Sequence, residues 1–342
     1  MHAAELFSPD VKTKEGRVTT RRCLVGLFFM MILPGIARPQ QPDSPAERRP
    51  YTIAVSVDNV VLPATVQNHK GILVSGLGKD DFQVYEDGLL QQITYFSHED
   101  IPVTVGLVVD NSGSMRPKRA EVIAAALAFA RSSNPADQMF VVNFNEHVSF
   151  GLPHNTPFTD KVTELEVALS HIKADGETAL YDAVAAALEH LMKGNRDKKV
   201  LIAVSDGADN ASKHTLAQIM AMAGRPDAII YTIGLFEQDD PDKNPGVLRQ
   251  LAKATGGEAF LPESLKDVAP ICERIARDIR NQYTIAYAPA NRKQDGTYRL
   301  IQVKAAAPGR GRLFVRTRAG YTAPLKTQPS PEASATYKDV QD

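Results

Sequence analysis

The 342-residue chain has no tryptophan, only two cysteines and a formal net charge of −1. Each shortage closes a route. Two thiols, Cys23 and Cys272, cannot build a disulfide framework or a Cys/His zinc cluster. A net charge near zero gives no pull on nucleic acid. No basic patch interleaved with aromatics appears either, so no nucleic-acid partner is expected. No apolar run reaches the roughly 20 residues that span a bilayer. Several catalytic signatures are also missing. There is no His-Glu-x-x-His, no Gly-x-Ser-x-Gly elbow, no phosphate loop ending in Gly-Lys-Ser/Thr and no Gly-x-Gly-x-x-Gly. What remains is a composition of 43% apolar and 23% charged residues, ordinary for a globular protein. The length suits one large domain and a smaller one.

The N-terminus reads as a targeting segment. Arg17, Arg21 and Arg22 form a basic region, and Leu24 to Ile36 forms an apolar one broken late by Pro34 and Gly35. Gly35-Ile36-Ala37 then places small residues where a signal peptidase cuts, so residues 1–37 are expected to be a cleaved signal peptide. The Arg21-Arg22 pair also fits twin-arginine export, although any basic leader contains such pairs. The protein is thus expected outside the cytoplasm: periplasmic, cell-surface or secreted. Membrane contact is expected only if this segment stays uncleaved. Cleavage would remove Cys23 and leave Cys272 alone, read as a small core residue on a helix. Residues 38–50, with Pro39, Pro42, Pro45 and Pro50, read as a linker. Residues 324–342 read as a disordered tail.

Three patterns follow one another in between. Residues 51–98 are β-rich: Tyr51 to Val57, Val60 to Val66, and a hairpin from Phe82–Tyr85 through Glu86-Asp87-Gly88 to Gln91–Phe96. Residues 102–282 alternate short apolar runs with helical periodicity. The runs are Val103–Val109, Gln138–Phe144, Val148–Leu152, Lys199–Ser205, Ala228–Gly234 and Glu258–Leu261. Helices are expected over 119–132, 180–193 and 267–282, the last capped by Asp267 with Pro270 in its first turn. Such alternation predicts an α/β fold: a doubly wound, mostly parallel sheet covered on both faces. Residues 283–323 turn β-rich again, and the two β segments are expected to join as one small flanking sheet or sandwich.

The chemistry concentrates at Asp110-Asn111-Ser112-Gly113-Ser114. This stretch follows the apolar run Val103–Val109, which reads as a buried parallel strand. It therefore delivers a carboxylate and two hydroxyls to the carboxyl end of a central strand, where open α/β sheets keep their ligands. Two further oxygen donors have matching contexts. Thr178 lies in a loop just before a helix, and Asp206 ends the strand Val200–Val204. Asp110, Ser112, Ser114, Thr178 and Asp206 are hard donors suited to Mg²⁺, Mn²⁺ or Ca²⁺. One carboxylate among hydroxyls in the first loop makes a weakly charged cage. Such a cage leaves a divalent ion able to accept a carboxylate from another molecule.

These three ordered pieces resemble the metal-ion-dependent adhesion site of von Willebrand factor type A domains, and the resemblance covers residues 102 to about 282. More narrowly, the chain is similar to bacterial "VWFA-related" proteins of the acidobacterial kind. Leu77–Gly88 and Tyr283-Thr284-Ile285-Ala286-Tyr287 carry that narrower likeness. The resemblance implies a Rossmann-like fold and a divalent metal, Mg²⁺ first. It implies that Ser112, Ser114 and Thr178 contact the metal while Asp110 and Asp206 act largely through water. It also implies a protein partner that presents Asp or Glu, and no catalysis. Other readings stand beside it. Asp110 and Asp206 could each cap a helix. The metal could be structural in an envelope scaffold, or serve a phosphoesterase. A phosphotransferase of the haloacid-dehalogenase type wants Asp-x-Asp after its first strand, whereas position 112 is Ser. Asp209 and Asn210 read as turn residues. Glu86-Asp87 and Asp239-Asp240 read as solvated acidic pairs, and Asn210-Ala211-Ser212 as a chance glycosylation sequon.

Overall fold

A computed structural model describes residues 59–170, 174–224, 228–237 and 243–325. The expected signal, linker, first strand (Tyr51–Val57) and most of the tail lie outside these residues, as does Asp239-Asp240. In chain order the elements begin with β1 (Val60–Asn68), β2 (Phe82–Glu86), β3 (Leu89–Gln91) and β4 (Ile93–Ser97). The middle of the chain holds β5 (Val103–Asp110), α1 (Arg119–Ser132), β6 (Gln138–Phe144), β7 (Val148–Phe150), α2 (Val162–Ser170) and α3 (Leu180–Leu191). It continues with β8 (Lys198–Ser205), α4 (Leu216–Ala223), β9 (Ile229–Gly234), α5 (Pro245–Thr255), β10 (Ala259–Phe260) and α6 (Val268–Arg280). The described residues end with β11 (Tyr283–Tyr287), β12 (Tyr298–Ala305), β13 (Leu313–Arg316) and β14 (Gly320–Thr322).

The middle segment forms one six-stranded sheet in the order β10-β9-β8-β5-β6-β7. All neighbours are parallel except β6 and β7. Every residue of β5 is buried, as expected for a central strand covered on both sides. On one face Leu107, Val109, Ile202 and Val204 pack against Val122, Phe129, Val268 and Cys272 of α1 and α6. Cys272 is core, as its helical setting implied, and burial pushes its thiol up to about 12. From β5 the chain moves first to β6 on one side, then returns to β8 on the other. This reversal puts a topological switch point at the carboxyl ends of β5 and β8, where a crevice opens between diverging loops.

The flanking β segments interleave. They form two antiparallel four-stranded sheets, β13-β1-β11-β4 and β14-β12-β2-β3. Val84 pairs with Val303 and Tyr85 with Gln302, so the N-terminal and C-terminal pieces share both sheets. Leu62, Val66, Phe82, Val84, Tyr283, Ile285 and Ile301 fill a separate core between them. The sequence reading needs three corrections here. First, the hairpin partner of β2 is β3, which follows a two-residue Asp87-Gly88 turn. Both turn residues have positive φ (48° and 82°), which suits the twist of a tight hairpin. The chain then passes at once into β4 of the other sheet. Second, Glu86 is not solvated. It is buried, accepting hydrogen bonds from Tyr287 Oη (2.6 Å) and Tyr321 Oη (3.0 Å) beside the guanidinium of Arg299. Third, Asp267 makes no side-chain cap. It closes a 3₁₀ turn, Leu265–Asp267, whose start is capped by Ser264 Oγ accepting from Lys266 N. The sequence reading also leaves α2, α4 and α5 unassigned, although Asn244-Pro245 and Gly256 are recognisable start and stop signals for α5.

Candidate functional site

The site lies at the switch point, where each strand end imposes a local turn. Asp110 ends β5, and its Oδ1 accepts from Ser112 N (2.8 Å). Asp206 follows β8, and its Oδ1 accepts from Ala208 N (3.1 Å). Each carboxylate therefore shapes its own loop with one oxygen and keeps the other for the site. Asp110 Oδ2 accepts from Ser205 Oγ (2.6 Å). Asp206 Oδ2 accepts from Ser114 Oγ (2.6 Å). Ser112 Oγ lies 3.2 Å from Ser114 Oγ. Asp110, Ser112 and Asp206 are buried, while Ser114 is half-buried and opens outward.

Four of the five expected donors thus join in contacts between adjacent side chains. Thr178 is buried and enters through its backbone: its N–H donates to Asn210 Oδ1 (2.8 Å), and its carbonyl accepts from the N–H of Asn210 (3.0 Å) and Ala211 (3.1 Å). Its loop is laced to the first one by Gly113 N to Gly176 O (3.1 Å) and Asp175 N to Asn111 O (3.0 Å). It is laced to the β6–β7 turn by Ala179 N to Asn145 O (2.8 Å). Three loops from distant parts of the chain therefore form one floor.

Supporting residues escaped the sequence reading. From sequence Ser205 is only the last residue of a strand, yet its hydroxyl holds Asp110. Asn111 is buried and donates to Val109 O (3.1 Å) and Asn143 Oδ1 (3.1 Å), fixing the motif to β6. Asn210 and Asp209 do more than turn the chain. Asp209 Oδ1 accepts from Tyr181 N (3.0 Å) and Ser212 Oγ (2.6 Å), supplying α3 with the start cap that Ala179 cannot. The one signal the sequence offers is their position two and three residues beyond Ser205-Asp206-Gly207.

Burial pushes the Asp110 carboxyl up to about 6; hydrogen bonds from Ser112 and Ser205 oppose the rise, and the nearby Asp206 carboxylate adds to it. A cation between the two carboxylates would relieve this strain. Among the described residues no three His, Cys, Asp or Glu side chains gather at one point, so a metal here must lean on hydroxyls. The serines suit that task. Ser114 commits its proton to Asp206, so Ser112 Oγ donates in the Ser112–Ser114 contact and one Ser114 lone pair stays open. Two neighbouring oxygens of an octahedral Mg²⁺ shell at ~2.1 Å stand about 3.0 Å apart. The Ser112–Ser114 separation of 3.2 Å is close to that edge. The donor set and the fold therefore fit a small hard cation.

Residues 105–208 match the model of the von Willebrand factor type A domain family. No curated protein matches the chain. Among solved structures, a von Willebrand factor type A protein from Catenulispora acidiphila is 15% identical, covering 80% of this chain and 76% of that one, with a TM-score of 0.49. BatB from Bacteroides thetaiotaomicron is 16% identical over 51% of this chain and 98% of that one (TM-score 0.41). The vWF domain of the type V pili tip protein Mfa5 from Porphyromonas gingivalis is 13% identical over 53% and 95% (TM-score 0.45). At these identities and scores, the solved structures carry no conclusion about activity. The family match over 105–208, on a mostly parallel sheet of order β10-β9-β8-β5-β6-β7, identifies a von Willebrand factor type A domain within this chain.

Proposed function

We propose that this chain is an exported, non-catalytic binding protein of the bacterial VWFA-related kind, which captures an acidic residue of a protein partner at a divalent cation. Ser112, Ser114 and Thr178 would touch the ion, Mg²⁺ first and Mn²⁺ or Ca²⁺ as alternatives. Asp110 and Asp206 would act through water. A cation held there supplies an open coordination position to a carboxylate. The observation that carries the reading is the Ser112–Ser114–Asp206 contact beside the buried, charge-crowded Asp110. Ser205 and Asn111 fix the motif from below and Asn210 fixes the Thr178 backbone, and a partner would approach from the side of half-buried Ser114. Export rests on residues 1–37. Among the described residues no helix is long and apolar enough to cross a membrane.

Titration calorimetry with Mg²⁺, followed by capture of envelope proteins with and without chelator, tests the reading. Wild type is expected to bind Mg²⁺ and to release its partner on chelation. Asp110→Ala is expected to lose both while keeping its far-UV circular dichroism. Absence of Mg²⁺ binding by wild type, or partner capture indifferent to chelator, would sink the proposal. Capture that survives chelation would point instead to a scaffold that binds through its β-sandwich. Sustained Mg²⁺-dependent phosphatase turnover, lost in the variant, would point to an enzyme.

A further inference from the structure

Glu146 lies outside the donor set, yet it grips the loop that carries Thr178. It sits in the turn between β6 and β7, exposed, and enters no ion pair among the described residues. Its Oε2 accepts from Glu177 N (3.0 Å), the amide immediately before Thr178. The same oxygen occupies the space beside Gly176, where an added Cβ would lie 1.6 Å from it. Gly176 has φ +79°, a second reason why a side chain is unwelcome there. The carbonyl of Gly176 in turn accepts from Gly113 N, between Ser112 and Ser114. The Glu146 carboxylate therefore touches the one stretch that links the serine loop to the threonine loop.

We propose that Glu146 is a positioning residue for the cation site: its carboxylate closes over Gly176, holds the Glu177 amide and sets the 175–178 loop so that Thr178 faces Ser112 and Ser114. The role rests on the proposed divalent site. It requires an acceptor oxygen at position 146 and a missing side chain at 176, and it does not require the negative charge. That separates it from a general electrostatic pull on the cation, which Glu146 would exert through charge alone.

The test uses the full chain in two states. In chelator, hydrogen exchange of the Glu177 and Thr178 amides is compared among wild type, Glu146→Ala and Glu146→Gln. Calorimetry with Mg²⁺ alone is then run on the same proteins and on Gly176→Ala. Glu146→Ala is expected to speed exchange of the Glu177 and Thr178 amides about tenfold, with amides away from the 175–178 loop unchanged. It is expected to weaken Mg²⁺ binding about tenfold, as loss of an outer-shell partner does. Glu146→Gln keeps an acceptor and should stay within about threefold of wild type in both readouts. Gly176→Ala should weaken Mg²⁺ binding at least as much as Glu146→Ala, since it displaces the carboxylate and also strains a positive-φ backbone. Unchanged exchange in Glu146→Ala overturns the proposal, and so does a Gln variant as impaired as the Ala variant, which would assign the effect to charge. A wild-type protein that takes up no Mg²⁺, with the exchange result intact, removes the cation site but leaves the clasp on the Thr178 loop standing.

Discussion

The sharpest quantitative consequence of the fold lies at the end of the sheet opposite the site. Asp137 precedes β6 and is only 4% exposed. Its Oδ1 accepts from Val103 N (2.8 Å), at the start of β5, and its Oδ2 accepts from Asn134 N (3.1 Å). Burial pushes its carboxyl up from 3.8 to about 6 even though these amides favour the charged form. The folded state thus holds this proton more tightly than the unfolded chain. The resulting stability is fully present below about pH 4 and is lost as pH rises towards 6. A shift of about 2 units corresponds to about 3 kcal/mol. Asp137→Asn removes that titration but turns an amino group towards one of the two amides, a loss of about 1–3 kcal/mol at every pH. On top of that constant offset, the wild-type advantage over the variant should shrink by about 2–3 kcal/mol between pH 4 and pH 7. Urea unfolding at pH 4, 5, 6 and 7, in chelator, measures this directly. A stability difference between the two proteins that stays constant across that range would refute the account of Asp137.

Two further outcomes follow from packing. A Cβ at Gly106 would stand 2.4 Å from Phe140 Cζ and 2.5 Å from Leu201 Cδ2, so Gly106→Ala should destabilise by about 2 kcal/mol, read as a lower urea midpoint with unchanged slope. Arg316 of β13 pairs with buried Asp278 of α6, which also accepts from Tyr231 Oη (2.7 Å). Arg316→Leu should therefore cost about 3 kcal/mol by leaving a buried charge unpaired, and adding Asp278→Asn should recover most of it in a double-mutant cycle.

Much of the site was legible because its signals are local. An apolar run ending in Asp110-x-Ser112-x-Ser114 announces a buried strand and the loop at its carboxyl end, and Val200–Val204 followed by Asp206 announces another. Strand–helix alternation then fixes both ends on one rim, since right-handed crossovers leave parallel strands pointing the same way. Glu86 reads as solvated in sequence for the complementary reason. Asp87-Gly88 marks the turn correctly, but the neighbours that bury Glu86 are Tyr287, Arg299 and Tyr321, about 200 residues further on.

By itself the sequence determined the α/β class, the central strand and which oxygen-bearing side chains lie at the strand ends, because periodicity and strand-end chemistry act over a few residues. Only the tertiary structure decided how those oxygens meet. The pairing of β5 with β8 sets Asp110 beside Ser205 and brings Asp206 to Ser114. Glu146 and Asn210 hold the Thr178 loop through backbone amides that no side-chain pattern reports. The interleaved sandwich was likewise decided by strand pairing between residues more than 200 positions apart. Hydrogen-bond register between distant segments is a property of the packed chain, and local sequence carries only half of each pair.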